Sequence, residues 1–235
     1  MKKISGLLSV LFISVICLVG CSFGGGDASS KYNININADE NIEVKTYVDQ
    51  NKDYLIVYLT NNNEYNIGSY DVKVIYYDDN GNKIDEDDTT QLDFMNGKDS
   101  VVTLALPRDE EYNGYVPDKV ELSVKIDQEY QEIVGGGTLY NDKVEVSHKK
   151  VGDEIEVTLK NTSGVDLTTV EAVVLFMKDG KPISAEELSG SFKNGESDTG
   201  TISIPEDWEA SSNSDEDVLI NYDDIKIVIN RATAE

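Results

Sequence analysis

The chain has 235 residues, with 45 Asp and Glu against 20 Lys and Arg, one His and two Cys, for a formal net charge of −25. Such a charge repels phosphate backbones, so it argues against nucleic-acid binding, which rests on Lys and Arg neutralising phosphates. Hydrophobic residues at 39% and aromatics at 8% set it apart from a disordered acidic tail, and the length allows one or two domains with cores of their own.

Lys2 and Lys3 open a short positive region, and Ile4 to Gly20 is an apolar stretch of 17 residues interrupted only by small residues such as Ser5, Gly6, Ser9 and Ser14. That layout is a secretory signal; the other reading, an uncleaved membrane anchor, sits at the short end of spanning lengths. Both place the body outside the cytoplasm. The stretch ends in Leu18-Val19-Gly20-Cys21, which resembles the lipobox of bacterial lipoproteins. The resemblance implies acylation of the Cys21 thiol, cleavage between Gly20 and Cys21, and a body anchored through lipid on the extracytoplasmic face of the cell membrane, with residues 1–20 as the signal peptide. Cys17 lies in the signal and Cys21 at the lipidation point, so disulfides, thiolate metal sites and cysteine nucleophiles are not expected in the body. Residues 21–30, rich in Gly and Ser, read as a flexible tether.

The body is written twice. At an offset of 100, Asp53 to Asn61 (DYLIVYLTN) aligns with Asp153 to Asn161 (DEIEVTLKN), sharing both aspartates, both asparagines and the apolar set Leu55/Ile155, Val57/Val157 and Leu59/Leu159. Upstream, Val44 and Thr46 align with Val144 and Val146. Downstream, Val72, Val74 and Tyr76 match Ala172, Val174 and Phe176, and each copy then reaches a turn, Asn80-Gly81 or Asp179-Gly180. Both dipeptides favour two-residue hairpins. At an offset of 98, Phe94, Asn96, Gly97 and Pro107 match Phe192, Asn194, Gly195 and Pro205, and the final strands turn Val120, Leu122, Val124 and Ile126, or Ile225, Ile227 and Ile229, inward.

Period-two alternation in each run means strands buried on one face, as in antiparallel sandwiches rather than parallel sheets. We therefore expect an all-β chain of two tandem immunoglobulin-like sandwiches, residues 31–133 and 138–235, each of about six strands, around a Gly-rich linker at 134–137. Ser184 and Glu187 have capping-box spacing for one helical turn, with no long helical period after it. The strand ending in Asn61 or Asn161, the turn, and Phe-x-Asn-Gly before a strand resemble the FxLYD-like and related immunoglobulin-like domains of bacterial surface lipoproteins. That resemblance implies a binding or unassigned role and carries over no catalytic residues.

Catalytic signatures are missing. His148 is the single histidine, and the offset of 100 sets it in the place of Val48, as a structural residue at the core margin. No GxSxG elbow, Walker loop or dinucleotide fingerprint is present, so neither an enzyme nor a bound cofactor is expected. The acidic run Asp78 to Asp88 offers hard oxygen ligands of the kind calcium takes, yet it departs from the EF-hand template and reads better as a charged hairpin guarding an edge strand.

Eleven of the 13 tyrosines lie between Tyr32 and Tyr130. Tyr54, Ile56 and Tyr58 occupy outward positions where the second copy has Glu154, Glu156 and Thr158. Such a face is covered by something: a glycan or envelope-protein partner, with the two rings about 13 Å apart, or the chain's own second copy or N-terminal segment. The loop after Pro205 is longer than its counterpart after Pro107 and holds the single Trp, Trp208, either as a recognition anchor or as a cap on the sandwich end. The sequence thus describes a lipid-anchored binding or scaffolding module, or else a purely structural stalk.

Overall fold

The structure, a computed structural model, describes residues 33–108, 117–129, 138–214 and 216–234; Cys21, the tether and the linker at 134–137 lie outside the described residues. The protein is all-β, as the alternation requires. The first copy forms β1 (Asn33–Ala38), β2 (Ile42–Val48), β3 (Tyr54–Asn61), β4 (Ile67–Tyr77), β5 (Lys83–Phe94), β6 (Asp99–Ala105) and β7 (Lys119–Glu129). The second forms β8 (Val144–Val151), β9 (Glu154–Asn161), β10 (Leu167–Lys178), β11 (Lys181–Phe192), β12 (Ser197–Ser203) and β13 (Asp224–Thr233). The strand β11 runs through Ser184 and Glu187, so the capping-box turn does not form; pairing with β10 along nearly its whole length overrides the local signal.

Sheets β2-β3-β6 and β1-β7-β4-β5 enclose one core, and sheets β12-β9-β8 and β11-β10-β13 a second. The inward residues of the matched strands fill them: Leu55, Val57, Leu59, Val74 and Tyr76 in the first, Ile155, Val157, Leu159, Val174 and Phe176 in the second. Two details depart from the repeat as read. Asp179 and Gly180 both have positive φ and close a two-residue hairpin. Residues 78–82 instead form a longer loop, because the Asp78 carboxylate accepts bonds from the Asn80 and Asn82 amides. Pairing also sets Thr46 opposite Val57 and His148 opposite Val157, so the first strands match at an offset of 102 and His148 is the counterpart of Thr46, not Val48.

The repeated asparagines hold equivalent corners. Asn61 is fully buried, and its Nδ2 donates to the carbonyls of Tyr65 and Phe94 while its Oδ1 accepts from the Asn63 amide. Asn161 repeats this on Val165, Phe192 and Ser163. Each then takes a bond on its backbone carbonyl from the following Gly, Gly97 or Gly195, both at positive φ. In each copy one side-chain amide thus satisfies two carbonyls, one in the loop after the strand and one at the end of the neighbouring sheet's strand.

Candidate functional site

Two places draw on the residues singled out above: the contact between the sandwiches and a groove at the open side of the second. The contact is sheet on sheet, with the outer face of β2-β3-β6 against that of β11-β10-β13. Ile56 and Val101 pack on Val173, Leu175 and Val228, with Tyr47, Tyr58, Met177 and Ala185 around them. Ile56 is entirely buried, Tyr58 partly covered, and Tyr54 46% exposed. Of the face Tyr54/Ile56/Tyr58, the chain's second copy therefore covers Ile56 and part of Tyr58, while Tyr54 stands outside the contact. The sequence carried a matching signal, because Ala172 to Met177 (AVVLFM) is an unbroken apolar run, as befits a strand buried on both faces.

Polar groups fix the contact at its edges. The Tyr58 hydroxyl donates to Asp99 and accepts from Lys226, whose ammonium stands 4.6 Å over the Tyr58 ring. Burial, and then the Asp99 carboxylate, push the Tyr58 hydroxyl well above its usual pKa. Burial works to raise Asp99, but the Tyr58 and Thr60 hydrogen bonds and the Lys226 charge outweigh it and hold Asp99 below the usual value. Arg231 on β13 pairs with Asp93 on β5. At the far end the Gln50 amide donates to the Ile183 carbonyl at 2.8 Å, and Asn51 donates to the Glu206 carbonyl and accepts from the Trp208 amide. That tip is shaped by Asp49, whose carboxylate takes the Asn51, Asp53 and Tyr54 amides; its burial raises its pKa to about 6 in spite of them.

Trp208 begins α1 (Trp208–Ser211), capped by Asp207. The residue is 48% exposed and belongs to neither core, so the cap over the sandwich end does not form; its backbone N–H reaches across the contact to Asn51.

The groove, about 470 Å³, lies between β8 and β13 and is lined by Val146, His148, Met177, Ile225, Lys226 and Ile227 among others. His148 is exposed there, contrary to the expected place at the core margin. Its inward parity is right, but no described strand covers it.

No family model matches the chain, and no curated protein does. Among solved structures, that of red sea bream transglutaminase aligns with 68% of this chain and 29% of its own length, at 13% identity and a TM-score of 0.24. A likeness that slight carries no argument about activity.

Chemically, the polar groups Tyr58, Asp99 and Lys226 at the contact bond to one another across it. Among the described residues no group of three or more His, Cys, Asp or Glu is arranged to hold a metal ion. In the acidic hairpin, Glu86 is engaged by Lys73 and Lys83 and Asp87 by the Ala105 amide.

Proposed function

We propose that the chain is a lipid-anchored, extracytoplasmic, non-catalytic binding or scaffolding module of the cell envelope. The observation that carries the anchor is Leu18-Val19-Gly20-Cys21 at the end of an apolar stretch that follows Lys2 and Lys3; two acyl chains on such a cysteine hold a protein far more firmly than one. The body suits display, since the sheet-on-sheet contact makes four stacked layers from two sandwiches and leaves the β8/β13 groove facing outward.

A purely structural stalk is the second reading. It is favoured by the burial of Ile56, which spends the most apolar outward face of the first sandwich on internal stiffness.

Two measurements test these. The full chain should sediment with membranes and carry an acyl mass on Cys21, and Cys21→Ser should move it to the soluble fraction; a variant that stays with membranes overturns the anchor. Thermal unfolding against cell-wall fragments and a glycan panel separates module from stalk. A ligand at about 100 times its Kd adds about 2.7 kcal/mol of stability, whereas the stalk predicts no shift with any of them.

A further inference from the structure

Strand pairing traces the end of the molecule from which β1 starts. Asn33 lies opposite Lys119 on β7, and Lys119 opposite Tyr77 at the end of β4, so β1 begins beside the loop at 78–82. The chain turns between Asp39 and Ile42 and β2 runs back, which returns the tip at 49–51 to the same end. That tip meets the matching end of the second sandwich: the Gln50 amide donates to the Ile183 carbonyl near the start of β11, and Asn51 bonds to Glu206 and Trp208. Val151, Glu154 and Ser203 pair at this end of β8, β9 and β12, just before the chain reaches α1. The sandwiches therefore stand side by side with like ends together, and Arg231 meets Asp93 at the other end.

Across the end where β1 begins stand four exposed apolar side chains: Ile84 at the start of β5, Tyr54 at the start of β3, Trp208 in α1 and Val151 at the end of β8. They spread over the four layers, a width of about 30 Å at the usual spacing of packed sheets. Of the other exposed apolar residues, Tyr65, Leu92 and Val165 lie at the opposite end and Val146 lines the β8/β13 groove. What separates the two ends is the chain that leads to one of them.

Eleven residues, Ser22 to Tyr32, separate Cys21 from Asn33, and a fully extended segment of that length spans at most about 40 Å. A strand as long as β4, 11 residues, covers about 35 Å from one end of the sandwich to the other. To turn the opposite end toward an acylated Cys21, the segment would have to lie extended along nearly that whole length, whereas the end at Asn33 reaches the lipid with chain to spare. The broad outer faces suit lipid less, since they carry ion pairs such as Lys73–Glu86 on one side and Lys149–Glu156 on the other. Trp suits the boundary best: its ring is apolar and its N–H polar, and Trp and Tyr collect at the headgroup level of membranes.

We propose that this end of the molecule seats on the lipid surface to which Cys21 anchors it, with Trp208 at the headgroup level beside Tyr54, Ile84 and Val151. The proposal rests on the reading of the chain as lipid-anchored. Charges of both signs flank the seat, Lys83 and Lys150 against the more numerous Asp79, Glu209, Asp223 and Asp224, all exposed. The contact is therefore apolar rather than electrostatic, and anionic headgroups oppose it. A few exposed side chains hold a free protein on a bilayer only weakly; the anchor makes their contact intramolecular, at high effective concentration. Seated in this way, the molecule turns the corners built on Asn61 and Asn161 away from the membrane.

Trp208 is the single tryptophan, so its fluorescence reports the seat. The acylated full chain is reconstituted in phosphatidylcholine vesicles and recovered by flotation, with lipids brominated near the top of their acyl chains as quenchers. The Trp208 emission should shift to the blue, lose most of its intensity to the brominated lipid and be shielded from acrylamide. Leu92→Trp in a Trp208→Phe background moves the probe to an exposed position about 30 Å along β5 and should show none of the three. Anionic lipid in place of part of the phosphatidylcholine should release Trp208, and salt well above the physiological level should restore the seat. Unquenched Trp208, equal quenching at the two positions, or quenching that anionic lipid strengthens overturns the proposal. So does a Trp208 shift that requires cell-wall fragments, which would give this end to a glycan. Failure to float overturns the anchored reading and the seat with it, whereas flotation without quenching overturns the seat alone.

Discussion

The side-chain amide of Asn230 pairs with both backbone polar groups of Val101: its Oδ1 accepts from the Val101 N–H at 2.9 Å and its Nδ2 donates to the Val101 carbonyl at 2.7 Å. Asn230 can do this because the pairing of β10 with β13 slips there, from Glu171↔Arg231 to Ala172↔Ile229. The residue freed by the bulge is aimed at the other sandwich. One amide thus caps the edge of β6 as a neighbouring strand would, and Asn230→Ala leaves the donor and the acceptor without partners. The expected cost is about 1–3 kcal/mol. Urea unfolding followed by Trp208 fluorescence and by far-ultraviolet circular dichroism should coincide in the parent and separate in the variant as the sandwiches uncouple; coincident curves with unchanged midpoints would refute the coupling role.

Ile56 and Tyr54 share a face of β3 but not an environment. Ile56→Ala opens a cavity at the sheet-on-sheet contact and should cost about 2–5 kcal/mol. Tyr54, 46% exposed, should cost under about 0.5 kcal/mol when truncated to Ala. Denaturant midpoints at constant m-value report both. Equal, small effects would mean that the face is open in solution.

The asparagines of the repeat make a paired prediction. Asn61→Ala and Asn161→Ala each remove the side-chain bonds to two carbonyls and one turn amide. Each should therefore destabilise by several kcal/mol, about 1–3 per buried group left unsatisfied, and by similar amounts. Asp in place of Asn should not rescue either, because a carboxylate cannot donate to those carbonyls.

What the sequence made legible is what each sandwich does alone. Alternation in Asp53–Asn61 and Asp153–Asn161 gave the inward sets, and the shared Asn, Phe-x-Asn-Gly and Pro marked corners that recur in space. What it hid depends on the partner surface. Period two says that Ile56 points away from its own core, not that Val173 and Leu175 wait on the other side. For His148, the offset of 100 was wrong by two because a slip of that size preserves parity, leaving the inward–outward pattern unchanged. Its exposure followed from β1, which has a counterpart in one sandwich and none in the described residues of the other. Trp208 looked like a cap because large aromatics in long loops often fold inward; its helix is instead placed by backbone bonds to Asn51.

Asp49 gives the pH dependence. Its carboxyl is 6% exposed and accepts three backbone N–H bonds, yet burial raises its pKa from 3.8 to about 6. A carboxyl whose folded pKa exceeds its unfolded one binds more protons in the folded state between those values, so its contribution is fully present below pH 3.8 and is lost as pH rises through 6. Over that window the loss is up to about 3 kcal/mol at 1.36 kcal/mol per pKa unit. Other carboxyls work oppositely at lower pH, Glu86 among them, held at about 2 by Lys83 and Lys73, so the comparison must be with a variant rather than with the raw profile. Asn at position 49 keeps one acceptor for the Asp53 and Tyr54 amides and does not titrate. The stability of the parent minus that of Asp49→Asn, measured by urea unfolding at pH 4, 5, 6 and 7, should fall steadily across the series. The fall should be accompanied by loosening of the Gln50 and Asn51 contacts to the second sandwich, visible as faster hydrogen exchange at the Gln50 and Trp208 amides at pH 7 than at pH 4.5 after correction for intrinsic rates. A difference that is flat or rises with pH would show that the three N–H bonds outweigh burial at this carboxyl.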